Sequence, residues 1–325
     1  MSAQLTAPPA TEAAAAALPT GRRPVRPPVG QTRSRRGGAA DEPPGTSASR
    51  RNRGLVMLGL GVFVLYSVAP VWWLVVAATK TREDLYRTNG LWFADVNLVE
   101  NLRQLFTYQD AAYPRWLANS LLYSAASSVG LTLISLAAGY GLAKYTYRGR
   151  GLTMGLVIGS FLIPGALLTI PSYLLFVRIG LFDSVWAMIL PSCFSAFSVY
   201  LAKVYAEAAV PSELIEAARI DGAGEYRIFW QIALRLMTTA GATIFLLHFV
   251  AQWNAFFGPL VFLRDSGKWP VMLGLYSWLQ RGVDSQYDLT GMVIIGALVA
   301  SLPMVLLMVA MQRYWRSGVS LGSLK

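Results

Sequence analysis

Apolar residues do not alternate with polar ones along most of this chain; they run on. Six stretches contain no Asp, Glu, Lys or Arg: 54–78, 117–143, 152–177, 184–202, 236–263 and 289–312. A helix rises about 1.5 Å per residue, so about 20 apolar residues cross ~30 Å of hydrocarbon, and each stretch supplies nearly that or more. The pattern predicts an all-α integral membrane protein with six transmembrane helices. Polar connections fall at 79–116, 144–151, 178–183, 203–235 and 264–288. Two domains follow, a tail over 1–53 and a membrane domain over 54–325. The tail is rich in Ala, Pro, Gly and Arg and nearly lacks large apolar side chains. Such a segment cannot bury enough surface to offset its ordering entropy, so it is expected to be disordered. Its alanine run is too weakly apolar for a signal-peptide core.

Composition agrees with the span pattern. Hydrophobic residues make up 54% of the chain and charged ones only 14%, against about 25% in soluble domains. The net charge of +11 then bears on orientation before it bears on nucleic acid, and no nucleic-acid partner is implied. With the N-terminus inside, the internal segments hold 19 of the 28 Lys and Arg residues, and Arg50, Arg51 and Arg53 directly precede the first span. The positive-inside rule places both termini in the cytoplasm, with 79–116, 178–183 and 264–288 outside. The tail's nine arginines fit a plain cytoplasmic tail, and a lipid-binding or regulatory role stays open beside it. The single cysteine, Cys193, excludes an intrachain disulfide.

The largest internal connection, 203–235, is patterned as a helix, a glycine and a second helix. Ser212 after Pro211 is placed as an N-cap, and Glu213 and Glu216 fall in the first turns, where the helix dipole favours carboxylates. Gly222 marks a stop, and Tyr226, Phe229, Trp230, Ala233 and Met237 then recur at helical spacing. Small side chains at Ala217 and Ala218 allow a partner's backbone to approach, and Glu216 offers a carboxylate. On pattern alone the segment is either an interfacial amphipathic helix or a docking element.

The order Glu216-Ala217-Ala218, three residues, Gly222, nine residues, Ile232-x-Leu234 resembles the EAA loop of binding-protein-dependent ABC import permeases. Asp221-Gly222-Ala223 has the form usual in the sugar-importing branch. Stretches 171–191, 253–260 and 312–325 are similar to the smaller permease subunit of maltose-type importers, so the resemblance covers most of 54–325. It implies a bacterial inner (cytoplasmic) membrane location. It also implies an assembly with a second permease of similar six-helix type, two cytoplasmic P-loop ATPases, an external solute-binding protein and a sugar substrate. Glu216, Ala217, Ala218, Asp221 and Gly222 would form the coupling helix on the ATPase. One departure stands out: the family usually has proline after Ile-x-Leu, and Arg235 is there instead. Without proline the second loop helix is expected to run on into the fifth span.

The chain carries no engine of its own. No G-x-x-x-x-G-K-[ST] loop and no metal-spaced cluster of Cys, His, Asp and Glu occurs, so no cofactor, metal or catalytic residue is expected here. By the resemblance, ATP and magnesium belong to the partner ATPases. A gradient-driven transporter generally places ionisable groups in its spans, and here His248 alone qualifies. For the substrate pathway the fifth span offers His248, Gln252 and Asn254 beside Trp253. The competing reading makes these helix-to-helix glue and sets Trp253 in the external aromatic belt. Pro164, Gly165, Pro171, Pro191 and Pro303 are candidate kinks. By the resemblance the cargo is expected to be a mono- or oligosaccharide, with a polyol or glycerol phosphodiester as the alternative. Deleting residues 2–45 is expected to leave transport nearly unchanged, checked by uptake in cells; complete loss with normal insertion would give the tail a function.

Overall fold

The computed structural model describes residues 46–284 and 288–319. The tail over 1–45 and the end over 320–325 therefore lie outside the described residues. Backbone contacts divide the chain into Met1–Leu58 and Gly59–Lys325. The described residues are helical, with no strand among them.

Helix α1 (Thr46–Thr79) starts before the first predicted span, so its first turns belong to the segment read as tail. From Asn52 to Thr79 it is long and apolar enough to cross a membrane. The Asn101 amide closes its end, donating to Ala78 O (3.0 Å) and Lys80 O (2.9 Å), which satisfies carbonyls that a helix end leaves without partners. A short helix α2 (Arg82–Arg87) follows, N-capped by Thr81 Oγ1, which accepts from Asp84 N.

The central element is α3 (Leu98–Lys144), far longer than the predicted second span. It is broken at Tyr108–Ala111, where Gln109, Asp110 and Ala111 have φ of +51°, +53° and +57°. After the break one face carries buried Ser120, Ser124, Ser127, Ser128 and Ser135. Side chains this small let neighbouring helices come close.

Helices α4 (Arg150–Ser160) and α5 (Thr169–Arg178) stand where a straight third span was expected, but they are bent by 96°. Pro164 lies at the break in an extended conformation. Its ring would clash with the carbonyl one turn back and it has no N–H to donate, so a helix cannot pass through it unbent. Next come α6 (Val185–Ser192) and α7 (Ala196–Ala209). α7 continues beyond the predicted end at 202 because Lys203 and Glu207 pair on one face at 2.8 Å. Charges read as loop thus lie on a helix.

Helix α8 (Ser212–Ile220) is followed by α9 (Glu225–Ile228), a π-helical turn (Phe229–Ala233) and α10 (Leu234–Leu236). Helix α11 (Thr238–Trp253) leaves at 75° to that segment. The expected run-on into the fifth span is therefore corrected to a sharp bend at Met237, without proline. Thr238 Oγ1 donates to Arg235 O (2.6 Å), taking a carbonyl that the bend frees. The fifth span breaks again after Trp253 before α12 (Phe257–Phe262). Helices α13 (Val271–Asp284) and α14 (Thr290–Val319) complete the described chain. Four helices are long and apolar enough to cross a membrane, or up to six if each bent pair counts as one crossing.

Close contacts give the directions. Along α3, Gly130 meets Cys193 and Gly139 meets Ala202, so α6–α7 runs parallel to it. Leu136 meets Gly241, whereas Trp116 Nε1 donates to Ser266 O at the other end, so α11 runs antiparallel. Tyr113 OH donates to Gly296 O, and Met311 shares a groove with Leu136, so α14 is parallel. Arg150 lies by Glu207 and Phe176 by Phe262, which makes α4–α5 antiparallel. The directions alternate as successive crossings require.

Outside the spans, the α5–α6 turn is locked to the segment before α13. Asp183 Oδ1 accepts from Arg264 N (3.0 Å) and Asp265 N (3.1 Å), and Lys268 Nζ reaches its Oδ2 at 3.0 Å. Burial alone would push the Asp183 carboxyl up, but these hydrogen bonds together hold it below the usual carboxylate range. A depressed carboxylate contributes stability above its unfolded pKa, about 3.9, and loses it as pH falls through the folded value. Asp183→Asn is therefore expected to melt below wild type at pH 7, with the gap closing as pH drops beneath about 4. A gap of equal size at both pH values in detergent melting curves would remove the charge from the explanation.

Candidate functional site

The loop joining α7 to α11 holds two short helical segments across a turn, with one side buried on the core and the other exposed. Helix α8 begins after Pro211, which takes the N-cap position with φ −64° and ψ 137°; Ser212 is the first helical residue, and no side chain caps the helix. The expected Ser212 cap is therefore corrected by one position. At the other end Gly222 has φ +79°. Ala223 N–H donates to Ala218 O (2.9 Å) and Gly222 N–H to Arg219 O (3.0 Å), the paired bonds of a Schellman stop. That left-handed backbone is where glycine costs least.

Two faces of α8 differ. Ile215 and Ala218, three residues apart, are buried in a cluster with Tyr140 of α3, Ala206 of α7, Val210 and Ile228. Glu213, Glu216, Ala217, Asp221 and Gly222 are exposed on the outside. Beside them stand exposed apolar side chains, Leu214, Ile220 at 87% and Tyr226 at 78%. Of the five predicted coupling residues, four thus lie on the exposed side, and Ala218 is turned into the core. Of the five positions predicted at helical spacing in the second helix, Ala233 and Met237 are buried and Phe229 is partly so, whereas Tyr226 and Trp230 are exposed and a π-helical turn interrupts the helix.

A polar node that sequence reasoning missed sits behind the turn. Glu225 of α9 accepts from Arg219 Nε of α8 at 2.6 Å. Its other oxygen accepts from Tyr145 OH, just past the end of α3. The Arg219 guanidinium carbon lies 5.9 Å from the Tyr145 ring centre. Arg219, then Tyr145, hold the Glu225 carboxyl below the usual carboxylate range. Burial, then the Glu225 hydrogen bond, push the Tyr145 phenol up. A pair of opposite charges six residues apart across a glycine was the only signal available in the sequence.

The pathway candidates are less gathered. His248 and Gln252 are half-buried on successive turns of α11, whereas Asn254 lies past its end, exposed, with its amide donating to Val250 O (2.8 Å). Trp253 is buried at 3% exposure and stacks on Phe249, so it is not on an exposed belt. An open apolar groove of about 390 Å³ lies at the opposite end of α11, lined by Thr132, Leu136, Gly241, Phe245 and Met311 among others.

Residues 130–320 match the family model for the inner membrane component of binding-protein-dependent transport systems. The arabinooligosaccharides transport system permease protein AraQ of Halalkalibacterium halodurans is 31% identical over 273 residues, covering 83% of this chain and 96% of that protein. The lactose transport system permease protein LacG of Rhizobium radiobacter is 30% identical, over 83% and 94%. A crystal structure of a bacterial ABC transporter involved in import of the acidic polysaccharide alginate contains a chain of the same fold, with TM-score 0.73 and 24% identity over 83% of this chain and 99% of that one. Matched over more than half its length by the family model and along most of its length by relatives, the chain belongs to the binding-protein-dependent transport system inner membrane component family and is a membrane permease subunit, not an enzyme.

Proposed function

We propose that this permease carries a sugar or oligosaccharide into the cytoplasm by alternating access, driven by ATP hydrolysis in separate subunits. Each bent helix pair counts as one crossing, giving six spans with both termini and the α8–α9 loop in the cytoplasm. The alternating directions and the bias of Lys and Arg support this arrangement. The loop seats in a groove of a P-loop ATPase, and magnesium and ATP are held there, not by this chain. A second permease and an external binding protein complete the assembly.

The carrying observation is the exposed side of α8. An isolated interfacial helix would turn its apolar residues toward lipid and its charges away. Here Leu214 and Ile220 share the exposed surface with Glu213, Glu216 and Asp221, a mixture suited to a protein groove. The sugar cargo is supported by the names of the relatives, which include arabinooligosaccharide and lactose permeases.

The test is a mild-detergent pull-down of the tagged chain, wild type beside a Glu216→Lys/Gly222→Trp double variant, with partners identified by mass spectrometry. Wild type is expected to bring down a P-loop ATPase and a second permease, and the double variant to lose the ATPase while staying in the membrane. An intact membrane complex without ATPase in either sample would overturn the docking assignment. His248 would then be the residue to test.

A further inference from the structure

Resting on the reading of α8 as the ATPase-docking helix, we infer that Tyr145, Glu225 and Arg219 form a strut that makes both loop helices and the end of α3 move as one body. They are positioning residues for the coupling of ATP hydrolysis to transport.

The need for a strut follows from the turn. A push on the outer side of α8 has to cross Asp221–Gly224 to reach α9. Gly222 there has φ +79°, and among the described residues none but its chain neighbours lies within 4 Å of where a side chain would start. Within that turn only Ala223 packs on the core cluster, and glycine resists rotation least of all residues. The buried underside of α8 is small, chiefly Ile215 and Ala218. Left to these contacts, the helix pair would flex at the glycine and absorb the movement.

Glu225 bridges the turn. One carboxylate oxygen holds Arg219 on α8 at 2.6 Å and the other holds Tyr145 at the end of α3. Arg219 over the Tyr145 ring closes the triangle. Tyr145 is itself braced, edge-on to Tyr140 at 5.7 Å, and Tyr140 packs on Phe229 of the second loop helix at 5.5 Å. The node therefore fixes α8, α9 and α3 to one another by charge-assisted bonds with defined directions. Along its length α3 packs on α6, α7, α11, α13 and α14. Movement delivered to its end reaches the rest of the bundle through packed elements.

Arg219 and Glu225 are about half exposed, at 42% and 47%, and such pairs add little to stability. Their removal is thus expected to leave folding and docking intact and to loosen the coupling. In a Cys193→Ser background, spin labels at Ser212→Cys and Thr146→Cys report the spacing of α8 and α3 in the complete complex. Tyr145→Phe and Glu225→Gln are expected to at least double the width of the label distance distribution. The ATPase should copurify as in wild type and hydrolyse ATP at no less than half the wild-type rate. Uptake of lactose or arabinotriose per ATP should fall at least fivefold, and the label result decides even where neither sugar is carried. The charge swap Arg219→Glu/Glu225→Arg is expected to narrow the distribution again relative to Glu225→Arg alone. An unchanged distribution in Tyr145→Phe and Glu225→Gln would overturn the inference, as would loss of the ATPase from those variants, since the triad would then belong to the dock. Absence of the ATPase from the wild-type complex would overturn the docking reading, and this inference with it.

Discussion

Gly222→Trp is expected to reduce solute transport to background while the chain still inserts in the membrane. Two effects combine at this position and can be separated. The first is conformational: at φ +79° any L side chain is strained, by about 1–2 kcal/mol for an ordinary residue and less for asparagine. The second is steric and acts on a partner, because among the described residues none but the chain neighbours lies within 4 Å of a Cβ at Gly222. An indole there would stand beside Glu216, Ala217 and Asp221 on the exposed side and hold any docking groove away. Gly222→Asn isolates the first effect, since asparagine tolerates the left-handed region and is small. It is expected to keep most of the transport that Gly222→Trp loses. Uptake in cells, normalised to membrane-inserted protein, measures both. Equal and complete loss in the two variants would make backbone strain the cause and remove the steric argument for docking at this surface.

The parts of the fold that were legible in the sequence are those governed by the absence of charge. α1 and α14 could be read because nothing polar interrupts their spans; α8 was legible for another reason, the proline before it and the glycine after it. Pro164 announced a break, but a 96° bend depends on what the two halves pack against. The bend at Met237 had no breaker to announce it; a threonine hydroxyl and a π-helical turn do the work that proline would have done. α7 was cut short because Lys203 and Glu207 were taken as loop charges, although their spacing of four fits one helix face. The Tyr145–Glu225 contact joins residues 80 positions apart, and no local pattern encodes a partner at that distance. His248, Gln252 and Asn254 share a short stretch of sequence but not one surface, because the helix ends between the second and the third.

The fit between α3 and α7 underlies the loop, and Gly139→Val tests it. A Cβ at Gly139 would lie 2.6 Å from Ala202 Cβ, 2.6 Å from Lys203 N and 2.7 Å from Ala202 C. Two of those three atoms are backbone, so no rotamer change relieves the clash and the helices must separate. Overpacking of this kind costs about 1–3 kcal/mol. At about 2–4 °C per kcal/mol for a chain of this order of size, the melting temperature in detergent should fall by about 2–12 °C. Gly141→Val is the matched control, on the same helix, where an added Cβ meets no described atom of another element within 4 Å. Valine is slightly better than glycine in a helix interior, so the control should melt at or just above wild type. The separation also carries to function. Ala206 and Val210, on and just after α7, and Tyr140 on α3 form the floor on which Ile215 and Ala218 of α8 rest. A wider α3–α7 gap lowers that floor unevenly, so the protein that still inserts should transport less per molecule than the Gly141→Val control. Equal melting temperatures for the two variants would mean that α3 and α7 are not in backbone contact at Gly139, and the seat of α8 would need another explanation.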